Sequence, residues 1–237
     1  MGEWWYSSST MKIVNWNCNL NLSKKFEYIE KYQPDIAIIQ ECEKLNPTYF
    51  PNAEYFWIGK NEFKGLGVIV FNQSARIDST YNENLIYFLP IQTDIVSIMG
   101  VWAYNHRAAP RFGDTFKGGV SDALMHYEKW LIQNDKIIFS GDFNNSVIWD
   151  EGNNENNFKN INTKLNELDF VSGYHHLTKE TFGKETKGTL FQYRHLDKPY
   201  FIDYLYSKGL KINNITLGDY DEWVSYSDHV PIIAELM

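Results

Sequence analysis

The stretch "FSGDFNNSVIWD", residues 139–150, begins as a buried strand and then breaks into a Gly, two acids, two Asn and a Ser. Two readings compete. Gly141, Asp142 and Asn144 are good turn formers, so the break can be a plain polar exit from a core. It can also be a site. Asp142 and Asn144 are two residues apart, which in an extended chain puts both side chains on one face while Phe143 points into the core. A carboxylate beside an amide suits a phosphoryl group: the acid can take a proton from water, and the amide can donate to a phosphate oxygen without adding negative charge.

Working outward, the same break recurs. "KIVNWN" (12–17) alternates like a half-buried strand and ends at Asn17, with Asn19 just beyond; "DIAIIQE" (35–41) ends at Glu41. "DIVSIMGVWAYNH" (94–106) ends at Asn105 and His106, and "DHVPIIAEL" (228–236) opens on Asp228 and His229. Asp203 lies inside the otherwise apolar "YFIDYLYS" (200–207). Each has a bland explanation, but buried carboxylates are costly unless paired or bound to metal, and these strands must pack together.

Further strands are expected at "EYFWIG" (54–59), "GLGVIVF" (65–71), "NLIYFL" (84–89), "KIIFSGDF" (136–143) and "GTLFQYR" (188–194). Ser23 is a plausible cap for a short helix carrying Phe26, Ile29 and Tyr32 and ended by Pro34; Ser121 is a fair cap for a helix over about 121–133. Ile161, Leu165 and Leu168 also follow helical spacing, after an Asn-rich surface loop at 152–160. Strands outnumber helices and come in runs, so regular βαβ alternation fails and a sheet-on-sheet core with a few covering helices is expected.

The chain has 237 residues, 43% hydrophobic and 16% aromatic, which suits one folded domain. Residues 1–11 are expected to be an N-terminal tail or expression remnant and residues 12–237 the domain. The net charge of −8 excludes an extended basic groove unless Lys and Arg cluster locally or cations screen the approach. No apolar run approaches the roughly 20 residues that span a bilayer, and "MGEWWYSSST" lacks the parts of a signal peptide, so a cytoplasmic protein without membrane insertion is expected. Cys18 and Cys42 are expected to be core thiols, and His175, His176 and His195 loop or surface residues.

In order, "KIVNWNCN", "PDIAIIQE", "GLGVIVF", "SGDFN", "FIDYLYS" and "SDHVPI" resemble the endonuclease/exonuclease/phosphatase superfamily, which includes deoxyribonuclease I and the exonuclease III type of apurinic endonuclease. The resemblance covers Lys12 to about Leu236. It implies a four-layered α/β sandwich, two mixed sheets face to face with helices outside, and metal-dependent attack of water on a phosphoester. It makes Glu41 the main Mg²⁺ ligand with Asn17 beside it, Asp228 near the metal or the water, and Asp142 the residue that orients and deprotonates the water. Asn144 would hold the phosphate, and Asp203 would orient His229 onto it. Mn²⁺ is expected to substitute for Mg²⁺, a hard ion usually held by one or two carboxylates and several waters. "NHRAAP" (105–110) resembles the deoxyribonuclease I, sphingomyelinase-like and deadenylase-like branches; His106 would touch the scissile phosphate or protonate the leaving group, with Arg107 and Arg111 on flanking phosphates.

The expectation is a Mg²⁺-dependent phosphodiesterase, a nuclease on DNA or RNA, monomeric and without an obligate protein partner. The alternatives are a phosphoesterase for a small or lipid substrate, sphingomyelinase-like or inositol-phosphatase-like, and a non-catalytic binding module of the same fold.

Overall fold

The computed structural model describes residues 10–104 and 118–237. Asn105, His106, Arg107 and Arg111 therefore lie outside the described residues.

Long-range strand pairing builds two six-stranded sheets. In chain order, the first sheet takes β1 (Met11–Asn17), β2 (Ile36–Cys42), β3 (Ala53–Asn61) and β4 (Lys64–Phe71). The second takes β5 (Ala75–Ile77), β6 (Phe88–Thr93), β7 (Ser97–Trp102), β8 (Ile137–Asp142), β9 (Val171–Ser172) and, after the small β10 (Leu190–Phe191) and β11 (Pro199–Tyr200) pair, β12 (Asp203–Lys208). The chain then returns to the first sheet with β13 (Ile212–Leu217) and β14 (Ile232–Leu236). Strand orders are β13-β14-β1-β2-β4-β3 and β5-β6-β7-β8-β12-β9. Each sheet is mixed: β1 and β2 run parallel, as do β7 and β8, within otherwise antiparallel neighbours.

The sheets pack through β1, β2 and β4 against β7 and β8. Runs such as "IAII" and "IIF" are apolar on successive residues because both faces of these strands are covered; Ile36 to Ile39 and Ile137 to Phe139 are all buried. The outer layers are helical: α1 (Phe26–Glu30), α2 (Val120–His126), α3 (Glu128–Gln133), α4 (Phe158–Glu167), α5 (Gly173–Thr178) and α6 (Tyr220–Trp223). Phe158 of α4 stacks on Tyr204 of β12, and Trp223 of α6 meets Trp16 of β1 edge-on. This is the four-layered α/β sandwich that the resemblance implies, and the strand runs alone already point to its sheet-on-sheet core. Among the described residues no helix is long and apolar enough to cross a membrane.

Several local expectations need correction. Only the end of "NLIYFL" is strand: Tyr87 takes φ 63° in a turn, and β6 starts at Phe88 and runs through Pro90, which falls one residue beyond the last β5 pair, Ile77 with Ile91. Residues 94–96 form the turn into β7, closed on the Thr93 hydroxyl by Ile95 and Val96. The expected helix over 121–133 breaks at Tyr127, whose buried ring accepts the Asn82 N–H at its hydroxyl. Ser121 does not cap it; Gly119 stands at the cap position and Ser121 bonds Asn156. Ser23 does not cap α1 either, since it sits in a 3-10 turn and gives its N–H to Glu43. The "GNNENNFKN" loop is shorter than expected, with α4 starting at Phe158. "GTLFQYR" pairs only at Leu190 and Phe191 before a tight turn, and the last strand starts at Ile232.

Candidate active site

The two sheets bring one end of seven strands together. β8 ends at Asp142, and the preceding Gly141 lies so close to β7 that a Cβ there would sit 1.8 Å from the Val101 carbonyl oxygen. In the antiparallel register Asp203, first residue of β12, stands directly across from Asp142. His229 lies on the segment leading into β14, fixed from three sides. Its carbonyl accepts the Trp16 indole N–H (3.0 Å), its N–H is given to Ser227 Oγ (3.0 Å), and its Nδ1 meets Asp203 Oδ2 at 2.9 Å. Asp142, Asp203 and His229 are 1%, 1% and 6% exposed, far below what unpaired charges tolerate.

Amides complete the acid array. Asp142 Oδ2 accepts from Asn17 Nδ2 (3.0 Å) and Asn144 Nδ2 (3.1 Å), while Oδ1 accepts the Asn144 backbone N–H (2.8 Å). Asn144 adopts the left-handed conformation that Asn tolerates, and its Nδ2 also reaches the Ala103 carbonyl (3.0 Å). Both amide hydrogens of Asn144 are thus engaged. It steadies Asp142 as it stands, and holds a phosphate only by giving up one of these bonds. On the other side Asn19 gives its N–H to Asn17 Oδ1 (3.2 Å) and its side-chain amide to Asp228 Oδ1 (3.2 Å), linking Asp228 to Asp142 through two asparagines.

Asn19, Leu20 and Asn21 are consecutive left-handed residues, a strained run that needs outside support. Lys25 supplies it. Its ammonium donates to the carbonyls of Cys18 (2.7 Å), Asn19 (3.1 Å) and Tyr226 (2.7 Å), tying this loop to the segment that carries Asp228. Glu43 takes the N–H groups of Leu22 (2.6 Å) and Ser23 (2.9 Å).

Glu41 sits apart from the buried trio. A register shift between Gln40 and Cys42 in the β2–β4 pair turns it outward at φ 57°, and its Oε2 is 2.8 Å from the Lys64 ammonium. The neighbouring Cys18 and Cys42 are fully buried free thiols; burial pushes Cys42 up to about 12, so neither is poised as a nucleophile.

The electrostatics follow from burial and crowding. Burial, then the nearby Asp203 carboxylate, pushes Asp142 up to about 7, against the opposing pull of His229 and the Asn144 and Asn17 hydrogen bonds. Burial works against the His229 imidazolium. The charge and hydrogen bond of Asp203, with Asp142 and Asp228 adding, outweigh it and raise His229 to about 10. Burial and crowding thus favour a cationic imidazole beside a carboxyl group that is harder to ionise than a free one.

The ligand atoms of Asp142, Asp203 and His229 lie within 4.8 Å of one another. Yet the His229 Nδ1 that faces this cluster is shared with Asp203, so it is not free to serve as a third metal ligand. The residues nevertheless fit a hard divalent ion. Glu41, Asn17 and Asp228 offer oxygen donors, and Asp203 Oδ1 is buried without a hydrogen-bond partner beside a second acid, a load that a nearby cation relieves.

The sequence matches no family model and no curated protein. The fold does have relatives among solved structures. It is similar to the 3′ phosphatase NExo from Neisseria, bound to a product DNA hairpin, with TM-score 0.72 and 18% identity over 96% of this chain and 99% of that one. It is similar to the AP endonuclease LMAP from Leishmania major, with TM-score 0.71 and 13% identity over 97% and 88% of the two chains. The chain shares the fold of these structures over nearly its whole length. A third structure with that fold, an AP endonuclease from Archaeoglobus fulgidus, gives TM-score 0.62 at 15% identity over 94% and 98%.

Of the residues that sequence reasoning singled out, the structure joins Asp142, Asn144, Asp203, His229, Asn17 and Asp228 in one array and leaves the Glu41 side chain apart from it, against Lys64. Sequence reasoning missed Lys64 and Lys25, which no motif marks: Lys64 pairs with Glu41, 23 residues earlier, and Lys25 joins its near neighbours Cys18 and Asn19 to the distant Tyr226. It also took His175 for a surface residue. His175 is buried on α5, between Ser172 Oγ (2.9 Å) and Glu185 Oε1 (3.0 Å), with its ring stacked 3.6 Å from Phe182. The phenylalanine three residues past Lys179 was the available signal.

Proposed function

We propose that this chain is a divalent-metal-dependent phosphodiester hydrolase, a nuclease acting on DNA or RNA with Mg²⁺ as its natural ion and Mn²⁺ as a substitute. The observation that carries the proposal is the buried Asp142–Asp203–His229 array braced by Asn17 and Asn144, on a fold whose solved relatives are described as a 3′ phosphatase and AP endonucleases.

In this reading Glu41, with Asn17 and Asp228, holds the cation, which when bound supplies Lewis-acid neutralisation of the phosphoryl oxygens. Asp142 orients the attacking water and takes its proton, work suited to a carboxyl whose pKa lies near 7. Asn17 and Asn144 hold the carboxylate in place for that transfer. His229, fixed at Nδ1 by Asp203, presents Nε2–H to the phosphate and counters the negative charge that grows in the transition state. His106, Arg107 and Arg111 are proposed to bind the scissile and flanking phosphates.

The test is a substrate panel on the purified chain: plasmid, single-stranded DNA, RNA, an abasic duplex, a 3′-phosphorylated duplex and a generic bis-phosphodiester. EDTA and Asp142→Ala serve as controls. Mg²⁺-dependent cleavage of a nucleic acid, lost in the variant, is the expected result. Removal of the 3′ phosphate without strand cleavage would favour an end-processing phosphatase, a reading to which the NExo similarity lends weight. Turnover of the small diester alone would refute the nuclease assignment, and inactivity on every substrate would refute the enzyme.

A further inference from the structure

Lys64 opens β4 directly after the two-residue turn Glu62–Phe63, and Asn61 pairs with it across the hairpin. Its backbone is held close to the Glu41 bulge. The Trp57 indole lies across Gly65, where a Cβ would sit 2.4 Å from the ring, and donates to the Cys42 carbonyl at 3.1 Å. From this fixed base the Lys64 ammonium reaches two groups. One is Glu41 Oε2 at 2.8 Å; the other is the face of Trp102, 5.2 Å to the centroid, in a ring itself packed 4.5 Å from Tyr87. Trp102 is paired with Asp142 across β7 and β8. Lys64 therefore spans the two sheets at the mouth of the site, bound to the carboxylate that the proposed function gives to the metal.

An ammonium and a divalent ion cannot both neutralise one carboxylate oxygen without repelling each other. We propose that Lys64 sets the cation affinity of the Glu41 site: it is a tethered competitor that must release Glu41 before a divalent ion is taken. The inference rests on Glu41 being the metal-holding residue. The Lys64 and Glu41 side chains are 42% and 20% exposed, so their pair is a weak, readily exchanged one rather than a buried structural bridge. The Trp102 face gives the released ammonium a second place to stay, at the rim and away from Glu41. Lys64 is thus a positioning and affinity residue, set against the ion rather than for it.

The competition makes an ordered prediction that a structural role does not. Lys64→Met keeps the stem over Trp102 and removes the charge, so cation binding should tighten. Lys64→Arg offers Glu41 a planar two-pronged partner, so binding should weaken. The experiment uses the full chain stripped with EDTA and titrated with Mn²⁺ alone, free Mn²⁺ being read by electron paramagnetic resonance without substrate. Thermal melts check that each variant is folded. The expected dissociation constants rise from Met to Lys to Arg, with Met roughly twofold to fivefold tighter than wild type, the scale of a half-exposed ion pair. Equal or weaker binding by Lys64→Met, with Mn²⁺ still bound by wild type, overturns this inference and leaves the metal reading intact. No Mn²⁺ binding by either protein overturns the metal reading, and this inference with it.

Discussion

Asp203→Asn is the substitution whose consequence the structure predicts most closely. Asp203 and His229 are both buried, joined at 2.9 Å, and the imidazolium owes its elevation to this partner above all. Lifting an imidazole from its ordinary 6.5 to about 10 corresponds to about 5 kcal/mol of preference for the charged form. Breaking a buried pair by removing one member costs about 3–5 kcal/mol, which agrees. For a chain of this size that is a fall in Tm of roughly 6–20 °C. The pH dependence has a definite sign. A raised folded-state pKa contributes stability that is fully present below the unfolded value near 6.5 and fades as pH rises through about 10. The gap in Tm between wild type and Asp203→Asn should therefore be wide at pH 6 and narrow steadily toward pH 10. The imidazole should also titrate at or below its ordinary value in the variant, read from the His229 ring resonances by NMR. A Tm gap that stays constant from pH 6 to 10, or a His229 titration unmoved by the substitution, would refute the reasoning.

Asp142→Asn should abolish turnover, a loss of about a hundredfold or more, as expected for removal of a general base. It should also flatten the stability profile of the metal-free protein: a carboxyl raised to about 7 costs the fold progressively as pH rises from about 4 through 7, by up to about 4 kcal/mol. Parallel wild-type and variant Tm curves across that range would contradict it. Glu41→Gln should remove the rise in Tm that excess Mg²⁺ gives the wild type, a ligand-linkage effect read by calorimetry; an undiminished rise would place the ion elsewhere. Lys25→Met should destabilise by about 2–3 kcal/mol and lower turnover, because three carbonyls lose a charged donor and the left-handed run at 19–21 loses its tie. Lys24→Met, at an exposed neighbour, should do neither, and equal effects from the two would refute the tie.

The candidate site was legible where chemistry interrupts hydrophobicity. Asp142 after "IIFSG", Glu41 after "IAIIQ" and Asp203 within "YFIDYLYS" stand out because a buried strand has no use for a charge unless a partner waits for it. The order of these breaks along the chain was enough to suggest the superfamily fold. Local geometry was less legible. A strand through Pro90 is readable only once β5 is known to stop at Ile77, opposite Ile91, and the helix break at Tyr127 only once its hydroxyl is seen to meet Asn82. His175 looked like a surface residue since neither Ser172 nor Glu185 makes a motif with it.

By itself the amino-acid sequence determined which segments are buried strands, which ends of them carry acids and amides, and that these ends share one chemistry. Those properties are encoded residue by residue, in polarity and period. Only the tertiary structure decided who touches whom: that Asp142 faces Asp203 across two antiparallel strands, that a bulge turns Glu41 onto Lys64, and that Lys25 ties residues 18 and 19 to residue 226. These contacts depend on strand register, and a shift of one residue would send each side chain to the opposite face.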